Sequence, residues 1–138
     1  MVKINFYNKY PENLDLDALA KKIVNQTCEH LNIKTNYEIS FIYVDDLEIN
    51  ELNKQYRNMD KPTDVLTFEG EDDYLGDVFI SIDTVKRQAV EFDNTFEEEM
   101  SFMFVHGLLH ALGYDHIEDD ESSEMFAIQD KVLEAINE

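Results

Sequence analysis

The chain has a single cysteine, Cys28, in 138 residues. An internal disulfide is therefore excluded, and a reducing compartment fits. Four glycines and two prolines are too few for a collagen-like or Pro/Gly-rich disordered chain. No apolar run approaches the ~18 residues that a membrane span requires. The longest, around residues 102–112, is short and contains two histidines. The first residues show no apolar stretch leading to a small-residue cleavage site, so no secretory signal is expected. Basic residues are scarce: 11 stand against 31 acidic ones, for a net charge of −20. Taken alone, that balance argues against nucleic acid and against an anionic membrane surface as partners. Net charge is a sum over the whole surface, however, and a local basic patch or a bound cation reverses the field where it acts. A hydrophobic share of 43% suffices for one core. The expectation is a soluble, cytoplasmic protein with one domain over residues 1–138 and no membrane partner.

Along the chain, residues 2–7 alternate Val2, Ile4 and Phe6 with Lys3, Asn5 and Tyr7, which predicts a strand. Leu16, Leu19, Ala20, Ile23, Val24 and Leu31 fall at helical spacing over 15–31. Aromatic and β-branched residues over 37–44 predict a second strand. Asp45 is placed to cap a helix from 46 to about 56, with Leu47, Leu52 and Tyr56 on one side. A polar loop over 57–63 precedes short strands at 65–68 and 76–82, separated by an acidic turn. Asp83 is the expected cap of a helix reaching about 92. Thr95 and Glu98 form a capping box for the next helix, which Gly113 ends. A last amphipathic helix over 119–137 turns Met125, Phe126, Ile128, Val132, Leu133 and Ile136 inward. The order β-α-β-α-β-β-α-α-α predicts an α+β fold with one mixed sheet of about four strands and about five helices.

Three of the four histidines lie within eleven residues: His106-Gly-Leu-Leu-His110-Ala-Leu-Gly113-Tyr-Asp-His116. Four residues apart on a helix, His106 and His110 project from one face, which suits chelation of one Zn²⁺. Gly113 permits the left-handed turn after which His116 can swing back as a third ligand. The layout H-x-x-x-H-x-x-G-x-x-H is the spacing of a class of zinc metalloproteases, so the helix is expected to be a metal helix of that kind. Three imidazoles and an open fourth position describe a catalytic site for one zinc ion per chain. The same ligands suit Ni²⁺, Co²⁺ and Cu²⁺. In H-E-x-x-H enzymes the residue after the first histidine is the general base. Here it is Gly107, which speaks against peptidase chemistry. His30 reads as a helix-terminal residue facing the dipole rather than a ligand.

With these residues in hand, the chain resembles the bacterial YbeY family of ribosomal-RNA-maturation endoribonucleases. HGLLHALGYDH at 106–116 matches that family's histidine motif nearly whole. LNKQYRNMDKPTDVLTF at 52–68 resembles its LNxxYRxxDxPTDVLSF block, and LGDVFIS at 75–81 its LGDIxIS strand. Met125 and Phe126 fall where the family has its terminal-helix MF. Thr67 for Ser and Ala111 for Leu are mild departures. The resemblance implies a zinc-dependent, single-strand-specific endoribonuclease acting on ribosomal-RNA precursor, with ribosomal proteins as further partners. It implies His106, His110 and His116 as metal ligands and Arg57 as a functional residue near the metal.

Without the resemblance, Arg57 reads as a solvated loop residue. With it, the guanidinium suits a phosphate clamp. Lys54 and Lys61 are either phosphate contacts or plain surface. Thr63 and Asp64 are expected to hold a turn. Asp77 reads as a strand or turn cap, with orientation of a histidine as the other reading. Asp115 is second to a ligand or solvated. The charge of −20 implies low intrinsic RNA affinity, recruitment by partner proteins and strong salt dependence. Two other functions remain open at this point: a metallohydrolase of a non-RNA substrate, and a non-catalytic zinc-stabilised ribosome-assembly factor.

Overall fold

Alternating strands and one largely buried helix organise the structure. The computed structural model describes residues 2–114 and 119–137. Four strands form one sheet: β1 (Lys3–Asn8), β2 (Glu38–Val44), β3 (Val65–Glu69) and β4 (Tyr74–Ser81), in the order β1-β2-β4-β3. β1 and β4 both run parallel to β2, whereas β3 pairs antiparallel with β4. Parallel neighbours need a crossover. The first is α1 (Asp17–His30), and α2 (Asp46–Arg57) leads from β2 towards β3. Three helices follow the sheet: α3 (Ile82–Glu91), α4 (Phe96–Ala111) and α5 (Asp119–Asn137). The expected element order and the mixed four-stranded sheet are both present.

Period-two alternation gives the sheet two different faces. One presents Ile39, Phe41 and Tyr43 of β2 and Val78 and Ile80 of β4 to the main core. Ile23 and Val24 of α1, Phe104 and Leu108 of α4, and Met125 and Val132 of α5 close it. The opposite face carries a smaller cluster of Ile42, Val44 and Leu66 beneath Ile49 and Leu52 of α2. Helix α4 is the centre of the larger core. Phe104 meets Phe41 edge-on at a centroid distance of 4.9 Å and Tyr43 at 6.4 Å. Each fully buried side chain of this size contributes about 1.5–3 kcal/mol. No helix among the described residues is long and apolar enough to cross a membrane.

Three local expectations are corrected. The cap of α3 is Ser81, whose hydroxyl accepts from the Thr84 N–H, and not Asp83. β4 passes into α3 without a loop, so Asp83 already lies in the first turn. Its carboxylate instead accepts from the Tyr10 hydroxyl at 2.5 Å and the Asp46 N–H at 3.0 Å. On α2 the buried residues are Ile49 and Asn53, while Leu47 is 74% exposed and Tyr56 60% exposed. The helix meets the sheet along the stripe of residues four apart, which leaves the Leu47 side in water. On α5 Phe126 points outward, and the buried stripe is Met125, Ile128, Gln129 and Val132.

Candidate metal centre and active site

Both ends of α4 are fixed by local chemistry. At its start the Thr95 hydroxyl accepts from the Glu98 N–H, and the Glu98 carboxylate accepts from the Thr95 N–H, as the capping box predicts. At its end Gly113 has φ +104°, with the Gly113 N–H donating to the His110 carbonyl and the Tyr114 N–H to the Leu109 carbonyl. This pair of bonds is a Schellman closure. A Cβ built on Gly113 meets nothing within 4 Å, so this glycine is required by backbone conformation and not by space. His116 and Asp115, which follow the turn, lie outside the described residues.

Between those ends, His106 and His110 are brought together. Their Nε2 atoms are 3.1 Å apart, with ring centroids 4.6 Å apart at 71°. Two imidazole nitrogens sharing one tetrahedral Zn²⁺ at ~2.0–2.1 Å lie roughly 3.3 Å apart. The observed separation fits that donor geometry. His106 is held on two further sides. Phe102, one turn earlier, stacks on it at 6.0 Å and 14°. On α5, the Gln129 Oε1 lies 3.0 Å from its Nδ1. With the proton on Nδ1 donated to that carbonyl oxygen, Nε2 presents a lone pair, which is the tautomer a metal requires. Gln129 is 1% exposed, and sequence reading missed it. The available signal was a glutamine inside the apolar stripe of Met125, Ile128 and Val132.

Gly107 has a packing reason. A Cβ there would stand 2.5 Å from the Val78 Cγ1. Helix and sheet touch at this point, so the carboxylate that metalloproteases carry after the first histidine has no room. Val78 faces α4, and strand alternation therefore turns Asp77 to the opposite face. There Asp77 accepts a hydrogen bond from the Tyr74 hydroxyl, on the face of the sheet away from α4, which fits a strand or turn role.

Arg57 comes from a different element than the histidines, the exposed last turn of α2. Lys54 and Lys61 are exposed beside it in sequence, and among the described residues none of the three makes an ion pair. The loop that follows is firmly held. Buried Asn53 donates its Nδ2 to the Lys61 carbonyl at 2.9 Å, and the Met59 N–H reaches the Asn53 carbonyl. Asn58 takes the left-handed conformation at φ 56° to end the helix. Asp64 accepts from the Val65 N–H at 2.8 Å and fixes the entry to β3, as a turn residue should. Edge strand β3 has α4 packed against it and also meets the end of α2 through Phe68 and Tyr56. It is the element common to both sets of site residues. His30 ends α1 as an exposed residue of its last turn.

The start of α2 is anchored by a separate polar network. The Asp46 carboxylate accepts from the Ser81 hydroxyl at 2.7 Å, the Thr84 hydroxyl at 2.6 Å and the Arg87 guanidinium at 2.6 Å. Burial raises its pKa, but the hydrogen bonds from Arg87, Thr84 and Ser81 and the charge of Arg87 outweigh that and lower it.

Known proteins share similarity of sequence and fold with this chain. A family model described as Endoribonuclease YbeY matches residues 3–137. The chain is similar to the Endoribonuclease YbeY of Acholeplasma laidlawii, at 41% identity over 99% of this chain and 98% of that protein. It is likewise similar to the Endoribonuclease YbeY of Oenococcus oeni, at 40% identity over 89% of each. Among solved structures, the solution structure of TM1509 from Thermotoga maritima superposes with a TM-score of 0.68 and 37% identity, covering 97% of this chain and 87% of that one. On the extent and identity of these matches, the chain belongs to the endoribonuclease YbeY family.

Proposed function

We propose that this protein is a zinc-dependent endoribonuclease that cuts single-stranded RNA during ribosomal-RNA maturation in the cytoplasm. The carrying observation is the pair of imidazole nitrogens 3.1 Å apart on a buried helix, in a chain whose relatives are named endoribonucleases. Cleaving a phosphodiester builds negative charge on the phosphate oxygens and expels an oxygen leaving group. A site for it needs cationic or Lewis-acidic groups aimed at those oxygens, with their positions fixed beforehand. His106 and His110, with His116 as third ligand, would hold one zinc ion, and the chemistry such an ion would supply is Lewis-acid polarisation of phosphate oxygens. Gln129 keeps His106 in the metal-binding tautomer, and Phe102 keeps its ring in plane. Arg57 contributes a permanently charged, bidentate clamp for phosphate oxygens.

The packing at Gly107 supports a nuclease over a peptidase. No carboxylate can occupy the usual general-base position of a metallopeptidase without displacing Val78. The acidic surface supports recruitment to the ribosomal precursor through basic ribosomal proteins, because a chain of charge −20 gains little from diffuse attraction to RNA.

The test is cleavage of a ribosomal-RNA fragment by metal-loaded protein, offered once as a single strand and once annealed to its complement. Cutting of the single strand only, abolished by a chelator and restored by zinc, is the expected result. Equal cutting of both forms, or cutting that survives chelation, contradicts the proposal.

A further inference from the structure

The residue before Arg57 is an aromatic one left largely in water. Tyr56 is 60% exposed on the last turn of α2. Its ring is nevertheless fixed. Phe68 of β3 meets it edge-to-face at a centroid distance of 5.0 Å and 69°, and Phe68 in turn meets Phe79 of β4 at 5.6 Å and 87°. This ladder of rings ties Tyr56 to the sheet while most of the side chain stays in water. Met59 adds a partly exposed apolar neighbour. Residues 54–63 carry three cations, Lys54, Arg57 and Lys61, and one carboxylate, Asp60, in a chain of net charge −20. That carboxylate already accepts from the Asn50 amide at 2.9 Å.

An exposed aromatic ring, braced from one side and followed by a cation that makes no ion pair among the described residues, is an arrangement by which proteins bind unpaired nucleotides. The ring stacks one base, and the cations take the flanking phosphates. We infer that Tyr56 is a stacking platform for one base of the RNA, with Arg57, the next residue of the same turn, taking an adjoining phosphate and Lys61 of the following loop contacting the flanking backbone. The inference rests on the RNA-cleaving reading above and adds the residue that selects an unpaired strand. A base in a duplex has both faces covered by its neighbours and offers none to Tyr56. Stacking also tolerates any base identity, because every base has a π-face.

The test uses the full, metal-loaded chain with three variants: Tyr56→Ala, Tyr56→Phe and Tyr56→Leu. Binding of a fluorescein-labelled single-stranded oligonucleotide with 2′-O-methyl riboses is read by anisotropy, and cleavage of the unmodified RNA by gel. Stacking by one base is lost with a weakening of about fivefold to a hundredfold. Tyr56→Ala and Tyr56→Leu are expected to raise Kd and KM by such a factor, with kcat within a few-fold of wild type. Tyr56→Phe is expected to retain wild-type values. Tyr56→Leu keeps an apolar cover over Phe68, so its melting temperature is expected to stay near wild type, which separates stacking from folding. Wild-type Kd and KM for Tyr56→Leu overturn the inference while leaving the nuclease reading intact. Failure of Tyr56→Phe to match wild type also overturns it, because the hydroxyl would then be the contact. Wild-type protein that neither binds nor cuts single-stranded RNA overturns both.

Discussion

Helix α4 buries residues on nearly every side, including Met100, Phe104, Val105, Leu108 and Leu109, whereas α2 buries only Ile49 and Asn53. The two helices carry the candidate site between them, and the contrast follows what each must do. Chelation demands donor atoms held to a fraction of an ångström, and a helix wedged into the core supplies that rigidity. Contact with a long polymer demands exposure, and α2 reaches into solvent while being tied down at its start by Asp46 and at its end by Asn53 and Phe68. On the function proposed above, stability rests on one helix and substrate contact on the other, so substitutions in the two should separate by readout.

The largest expected effect is at the α4–β4 contact. Gly107→Glu places a Cβ where Val78 Cγ1 stands at 2.5 Å and buries a carboxylate. Overpacking costs about 1–3 kcal/mol, and the buried charge adds several more. The variant is expected to lose its cooperative melting transition in circular dichroism, and a wild-type melt would contradict the packing. Next is His110→Ala. At zinc concentrations about a hundred times Kd, bound metal stabilises the fold by about 2.7 kcal/mol. That zinc-induced rise in Tm is expected in wild type and absent in the variant, as calorimetry would show.

A smaller effect belongs to the anchor of α2. Asp46→Asn weakens acceptance from Arg87, Thr84 and the buried Ser81 hydroxyl, at a cost of about 2 kcal/mol at neutral pH. Because the folded-state pKa of Asp46 is lowered, its contribution is full above the unfolded value of about 3.9 and fades as pH falls through the folded value. Urea melts of wild type and variant are therefore expected to differ most above pH 4 and to converge below it. A difference that stays constant from pH 7 to pH 2 would contradict this. Gln129→Leu is expected to weaken zinc binding about tenfold, equivalent to about 1.4 kcal/mol, by releasing His106 Nδ1. Competition with a chelating dye checks it. The smallest stability effect is that of Arg57→Ala, within about 0.5 kcal/mol of wild type, since the side chain is exposed and makes no ion pair among the described residues.

Features that depend on neighbours in sequence were legible before the structure. Asp45 and Thr95 cap α2 and α4 as their side chains dictate. The four-residue spacing puts His106 and His110 on one face, and Gly113 closes α4. What failed depends on tertiary contact. Asp83 is a fine cap in isolation, but the direct passage of β4 into α3 gives that role to Ser81. Leu47, Tyr56 and Phe126 look like core residues by type, yet the sheet meets α2 and α5 along other stripes. The β1-β2-β4-β3 order is a matter of long-range pairing, which periodicity does not encode. Gln129 is legible only as a polar residue inside an apolar stripe; its partner lies 23 residues away on another helix, which spacing does not reveal. Arg57 carries no local signal of function, and only the surrounding motif marked it.

The most direct measurement pairs zinc content with cleavage of single-stranded ribosomal RNA on identical preparations of wild type, Arg57→Ala and His110→Ala. The expected result is that His110→Ala loses both zinc and cleavage, while Arg57→Ala keeps its zinc and its melting temperature and cuts at least about a hundredfold more slowly. Equal cutting by all three proteins, or loss of zinc from Arg57→Ala, would contradict the division of the site between a metal-holding helix and a phosphate-holding one.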